Sequence, residues 1–173
     1  IICKFGGTSV QDAPAILRLA AIVRDRLAEQ PVVVVSALAR VTDQLVRLAD
    51  GTRSGETGLL DTSLDALLER HQQVALALPG GDAAVEPVAD DIATLRELLH
   101  RAAGRALTPA ERDDATGRGE LWSSRLVAAA LVGAGIPAEW VDARGVVVTD
   151  DRFGRATPLP DRIAERAALE LVP

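Results

Sequence analysis

Lys4 is the only lysine among the 19 basic residues of this 173-residue chain, and it stands just before a glycine pair in the run Lys4-Phe5-Gly6-Gly7-Thr8-Ser9-Val10. A compact ammonium on a slim stem reaches a phosphate in a way that a planar guanidinium does not. Gly6 and Gly7 let backbone N–H groups approach a ligand without interference from a Cβ, and the start of a following helix favours an anion. Together these residue types point to phosphate binding. The pattern is neither the phosphate loop that ends in Gly-Lys-Ser/Thr, since the lysine comes first, nor the spaced dinucleotide fingerprint. Two other positions carry suitable polar groups: the loop that opens at Ser36, and Glu120 at the head of a long apolar segment. Cys3 sits in an apolar run and is expected to be a buried, inert thiol. His71 falls on an apolar helical face and is expected to be packed rather than metal-bound, and His100 is expected to face solvent without a partner.

The elements that must position these residues can be read from hydrophobic spacing. Residues 1–5 form an apolar, strand-like run, and Asp12 caps a helix with Ile16, Leu19, Ala20, Val23 and Leu27 on one face. The unbroken β-branched run Val32-Val33-Val34-Val35 predicts a strand covered on both faces. A short helix follows through Val41, Leu45 and Leu48. One face of the next helix carries Leu60, Leu64, Leu67, His71, Val74 and Leu78, and Ile92, Leu95, Leu99 and Ala102 line another beyond Pro79-Gly80-Gly81-Asp82. Thr108-Pro109-Ala110-Glu111 has the layout of a capping box, starting a helix expected to stop near Gly117-Arg118-Gly119. A separate, deeply buried helix is expected from Glu120 to Gly133, then strands around Glu139-Trp140-Val141 and Val146-Val147-Val148-Thr149. A last helix is expected from Asp161 to Pro173. Such alternation predicts an α/β fold, a three-layer αβα sandwich with a mainly parallel sheet. Ligands bind such sheets beyond the carboxyl ends of the strands, where the glycine loop and the Ser36 loop lie.

Composition narrows the classes of partner. A net charge of -6 and a pI near 4.9 argue against the basic footprint that nucleic-acid binding requires. No apolar run approaches the roughly 20 residues needed to span a bilayer, and no secretory leader is visible, so the expected setting is the cytoplasm, away from membranes. The absence of Met, position 1 included, leads us to expect a chain that begins inside a longer gene product.

The opening motif Lys-Phe-Gly-Gly-Thr-Ser-Val resembles that of the aspartate kinases, in the amino acid kinase superfamily. Ser36-Ala37 followed by Val41-Thr42, Gly119-Glu120-Leu121 and Asp151-Arg152-Phe153-Gly154-Arg155-Ala156 resemble three later segments of that family in order and spacing. The long helical middle is most similar to the lysine-sensitive type and to the kinase portions of bifunctional enzymes. The resemblance implies transfer of the ATP γ-phosphoryl group to the side-chain carboxylate of L-aspartate, with ATP and Mg2+ as cofactors. It assigns a catalytic role to Lys4, phosphate binding to Lys4, Gly6, Gly7, Thr8 and Ser9, and aspartate binding to Ser36, Thr42 and Glu120, with no metal ligand. It also implies that residues 1–173 are the N-terminal lobe of a catalytic domain, without its nucleotide-binding half and regulatory domains, from a protein that is a homo-oligomer at full length. Leu38-Ala39-Arg40 departs from the family, which tends to small residues there, often with glycine at the position of Arg40. An amino acid kinase with a different acceptor and a non-catalytic module of the same fold are the alternative readings.

Overall fold

The computed structural model describes residues 1–171, so the helix end expected at Pro173 lies outside the described residues. Strands β1 (Ile2–Phe5) and β2 (Val32–Val35) pair in parallel, Ile2 opposite Val32 and Phe5 opposite Val35. A parallel pair requires a crossover, which helix α1 (Ala13–Asp25) supplies. Asp12 starts α1 by accepting the Ala15 N–H on its Oδ1 at 2.8 Å. Helices α2 (Val41–Gly51), α3 (Thr57–Leu76), α4 (Val85–Arg101) and α5 (Pro109–Gly133) follow, then the single turn α6 (Ala143–Val146) and α7 (Pro160–Glu170). The α/β class is as expected. The predicted apolar faces of α1 to α4 are buried in one continuous core, apart from Leu27, which lies beyond the end of α1, and Ala102, which is buried at the end of α4 but outside that core. Each fully buried leucine in it contributes about 1.5–3 kcal/mol.

Helix α5 is the element around which the others assemble, touching β2 and each of α1 to α4. Its start is the predicted capping box, with Thr108 Oγ1 accepting the Glu111 N–H and Glu111 accepting the Thr108 N–H at 2.8 Å. The Arg105 guanidinium and that N–H hold the Glu111 carboxyl at about 2. At its other end, the Gly135 N–H reaches the Val132 carbonyl and the Ile136 N–H the Leu131 carbonyl, with Gly135 at φ +74°, which is the Schellman arrangement.

The middle of α5 departs from expectation, since there is no break at Gly117-Arg118-Gly119 and no new start at Glu120. Each glycine costs about 1 kcal/mol of helix propensity, and tertiary contacts outweigh that cost. Arg118, buried, donates to the Asp91 carbonyl and carboxylate and to Asp114. The other Asp91 oxygen accepts the Trp122 indole N–H at 2.6 Å. Gly119 is pressed against α2 and its preceding loop, as described below.

His71 is packed, as its spacing predicts. It stands edge-on to Trp122 with ring centroids 5.1 Å apart, and its Nδ1 lies 2.6 Å from the Leu67 carbonyl. That contact requires the proton on Nδ1. Nε2 is then a bare lone pair in the core with no partner among the described residues, and burial pushes the pKa down to about 4. His100 is exposed, but it is not without a partner: its Nε2 lies 2.9 Å from Asp61, which also pairs with Arg96, one helical turn before His100 on α4.

Three strand expectations are corrected. β2 is not covered on both faces: Phe5, Val33 and Val35 pack on the core, whereas Ile2 is 73% and Val34 43% exposed. The reason is that α1 and α5 lie on one side only, so side chains alternate between a covered and an open face. Cys3, expected to be buried, lies on the same face as Phe5 and is only half-buried. Glu139-Trp140-Val141 finds no ladder partner among the described residues and is docked instead by side chains. The Trp140 indole N–H donates to Ser124 Oγ at 2.9 Å, and Arg125 lies 3.8 Å over its ring. Val146 closes the turn α6, and only an isolated bridge between Thr149 and Pro158 remains of the strand expected there.

Candidate active site

The two strands end together, and the ladder runs one bond further, from the Ser36 N–H to the Phe5 carbonyl at 3.0 Å. Beyond β1, Gly6 leads into a tight turn over Gly7–Ser9, closed by the Ser9 N–H on the Gly6 carbonyl at 2.8 Å. A Cβ on Gly7 would stand 3.2 Å from the Ala37 carbonyl oxygen and 3.7 Å from Ala39 Cα, so the glycine loop lies against the Ser36 loop. A Cβ on Gly6 would meet nothing. The first glycine is open to a ligand and the second is a close approach between backbones.

The Ser36 loop is held from three sides. Phe5 takes its N–H. Buried Ser123 of α5 donates to the Ser36 carbonyl at 2.8 Å, and Arg70 of α3 donates to the Ala39 carbonyl at 2.9 Å while reaching the Gln11 carbonyl at 3.4 Å. The departures from small residues in this loop are absorbed structurally. Leu38 is buried in the core, and Arg40 takes a left-handed conformation, φ +69°, at the start of α2. An arginine there carries about 1 kcal/mol of strain that glycine would not. Gln11, Asp12, Ala39, Arg40, Gln44 and Arg70 line a cleft of about 470 Å³ between the start of α1 and the end of the Ser36 loop.

Thr42 is exposed in the first turn of α2, next to buried Val41. Val41 and Ala37 bear on α5, since a Cβ on Gly119 would come within 2.9 Å of the Ala37 Cβ and 3.0 Å of the Val41 Cγ1. Glu120, half-buried, is therefore carried beside the Ser36–Thr42 segment by the middle of a helix and not by a helix start. Gly6, Gly7, Thr8, Ser9, Ser36, Thr42 and Glu120 thus converge on the carboxyl ends of the strands. Lys4 lies one residue short of that edge, opposite Val34, and leaves from the open face of the sheet, away from α5. Among the described residues, the Lys4 ammonium, the Ser36 and Thr42 hydroxyls and the Glu120 carboxylate make no hydrogen bond or ion pair with protein.

The profile of the amino acid kinase family matches residues 1–169. The chain belongs to the amino acid kinase family. Within that family it is 38% identical over its full length to lysine-sensitive aspartokinase 3 of Escherichia coli, of which it covers 37%. It is 37% identical, over 84% of its length, to a bifunctional chloroplastic aspartokinase/homoserine dehydrogenase of Arabidopsis thaliana, covering 16% of that protein. The fold superposes on Escherichia coli aspartokinase III in complex with aspartate and ADP with a TM-score of 0.86 at 36% identity, over 99% of this chain and 37% of that one. This amino acid kinase chain therefore spans little more than a third of the first curated relative it matches.

Three residues that the sequence did not single out shape the edge. Ser123 follows Glu120 by three positions, on the same side of α5, which is a readable signal once the helix is known to be continuous. Gly119, quoted only as part of a motif, sets the distance between α5 and the Ser36 loop. Nothing in the sequence marks Arg70.

Proposed function

We propose that the protein carrying this chain transfers the γ-phosphoryl group of ATP to the side-chain carboxylate of L-aspartate, yielding 4-phospho-L-aspartate and ADP. The observation that carries this reading is the convergence of the glycine loop, the Ser36 loop, the start of α2 and Glu120 on one sheet edge, with the Ser36 and Thr42 hydroxyls and the Glu120 carboxylate unpaired among the described residues, in a chain similar throughout to aspartokinases. Ser36 and Thr42 donate to the substrate carboxylates and Glu120 accepts from its ammonium. Gly6, Gly7, Thr8 and Ser9 hold the phosphates, and Lys4 stabilises the charge on the transferring group. A carboxylate oxygen attacks the γ-phosphorus as the bond to the β–γ bridging oxygen breaks. The attacking group is already ionised, so no base is required, and catalysis rests on positioning and electrostatics. The family implies Mg2+ as well, but among the described residues no group of three His, Cys, Asp or Glu side chains could hold an ion, so no step here is assigned to a metal bound by this chain.

Residues 1–173 are, on this reading, the N-terminal lobe of a catalytic domain in a cytoplasmic homo-oligomer. Among the described residues no helix is long and apolar enough to cross a membrane. The test is to trap acyl phosphate with hydroxylamine in the full-length protein supplied with ATP, Mg2+ and L-aspartate, with L-glutamate as a competing acceptor. L-aspartate is expected to be the acceptor used. K4A should lower turnover by about 10²–10³-fold and K4R should not restore it, because the guanidinium spreads its charge over a wider fork. The chain on its own should be silent. Preference for L-glutamate would overturn the acceptor, and full turnover by K4R would overturn the role of Lys4.

A further inference from the structure

We infer that Ser123 is a positioning residue for the acceptor end of this site, locking Ser36 to the helix that carries Glu120. This inference rests on the reading above. Ser123 is fully buried, in the middle of α5, three positions after Glu120. Its hydroxyl lies 2.8 Å from the Ser36 carbonyl and 3.1 Å from the Glu120 carbonyl. A hydroxyl has one proton to give. The Glu120 carbonyl already serves the helix ladder, whose bonds run from each N–H to the carbonyl four residues back, so the proton goes to Ser36.

The Ser36 peptide is thereby fixed at both ends, its N–H on β1 and its C=O on α5. This leaves only the Ser36 side chain free to meet a ligand. Beside it, Gly119 lets α5 press against Ala37 and Val41, so the Ser36 loop and Glu120 cannot separate without breaking a packed contact. The hydrogen bond sets register where the packing sets distance. An acceptor held by Ser36 at one end and Glu120 at the other depends on both, while the glycine loop meets the Ser36 loop through Gly7 against Ala37 and Ala39 and takes no bond from Ser123.

The experiment is steady-state kinetics of the full-length protein in S123A, with S36A, E120Q and S124A beside it, varying amino-acid acceptor and ATP separately. A misplacement of ~1 Å at a binding group commonly costs one to two orders of magnitude, so S123A should raise KM for the acceptor about tenfold or more, with KM for ATP and thermal midpoint nearly unchanged. S124A, whose hydroxyl donates to the Leu121 carbonyl and does not reach Ser36, should show no such split. S123T, which keeps the hydroxyl, should recover most of the acceptor affinity if its added methyl is accommodated, as an unchanged melting curve will report. An S123A enzyme with unaltered acceptor KM, or one in which both KM values rise together with a lower midpoint, would overturn the positioning role while S36A and E120Q still raise acceptor KM. Acceptor KM unmoved by S36A and E120Q would overturn the functional reading, and this inference with it.

Discussion

His71 shows how one contact fixes the ionisation of a residue. Its Nδ1–H is committed to the Leu67 carbonyl, so a second proton must go on Nε2, which is buried with no acceptor among the described residues. The folded-state pKa of about 4 lies below the ordinary 6.5, so between these values the unfolded chain binds the proton and the folded one does not. Stability from this residue is therefore complete above pH 6.5 and is lost as pH falls towards 4. Urea unfolding should show a loss of about 2 kcal/mol between pH 7 and pH 5 attributable to His71. H71F, which keeps an aromatic edge against Trp122, should remove that part of the slope. An equal slope in H71F would mean that the histidine titrates normally in the folded protein. Lys4 poses the contrasting case: it is exposed and without an ion pair among the described residues, and the role proposed for it rests on that free charge.

At the scale of elements, α5 carries two glycines whose different surroundings give opposite expectations. A Cβ on Gly117 meets nothing, so G117A should stabilise by about 0.5–1 kcal/mol through helix propensity alone. G119A gains the same propensity but drives a methyl into Ala37 and Val41, so it should lower the midpoint of unfolding and weaken acceptor binding by pushing the Ser36 loop away. Thermal unfolding of the two variants decides the matter, and a G119A protein as stable as G117A would refute the close approach. The same pair shows what could be read in the sequence. Asp12, the Thr108–Glu111 box and the glycine that closes α5 were legible because caps are local. So were the apolar faces of α1 to α4, because burial imposes one period along each helix. The fate of Gly117 and Gly119 was not legible, since Ala37, Val41 and Asp91 decide it from elsewhere in the chain. Likewise Glu139-Trp140-Val141 has strand-like residues, but a strand exists only where a partner ladder does. For the site, residue types at strand ends were legible, and the groups that hold them in place, Ser123 and Arg70, act through bonds to backbone carbonyls that no side-chain pattern records.

At the scale of the whole chain, the described residues divide into a helical body and a two-stranded sheet attached to it. A parallel pair of four-residue strands with one bare face is not stable by itself, so β1 and β2 owe their order to α1 and α5. The bond that fastens this sheet edge to α5 joins distant parts of the chain, Ser123 to Ser36 across 87 residues, and the far ends of α1 and α5 are tied by Arg24 to the Ala134 carbonyl across 110. The α3–α4 hairpin, in contrast, closes through a short connection at Gly80 and Gly81. Contacts between near neighbours in sequence form at lower entropic cost than those that must first close a long loop. The hairpin is thus expected to be formed in the folding transition state and the strand ends to be still unmade. In stopped-flow experiments, L64A and L95A should slow refolding, whereas V33A should chiefly accelerate unfolding. The edge proposed to bind substrate is then expected to be the last part of this chain to be built and the first to come apart, so a ligand bound there should prolong the life of the folded state without hastening its formation.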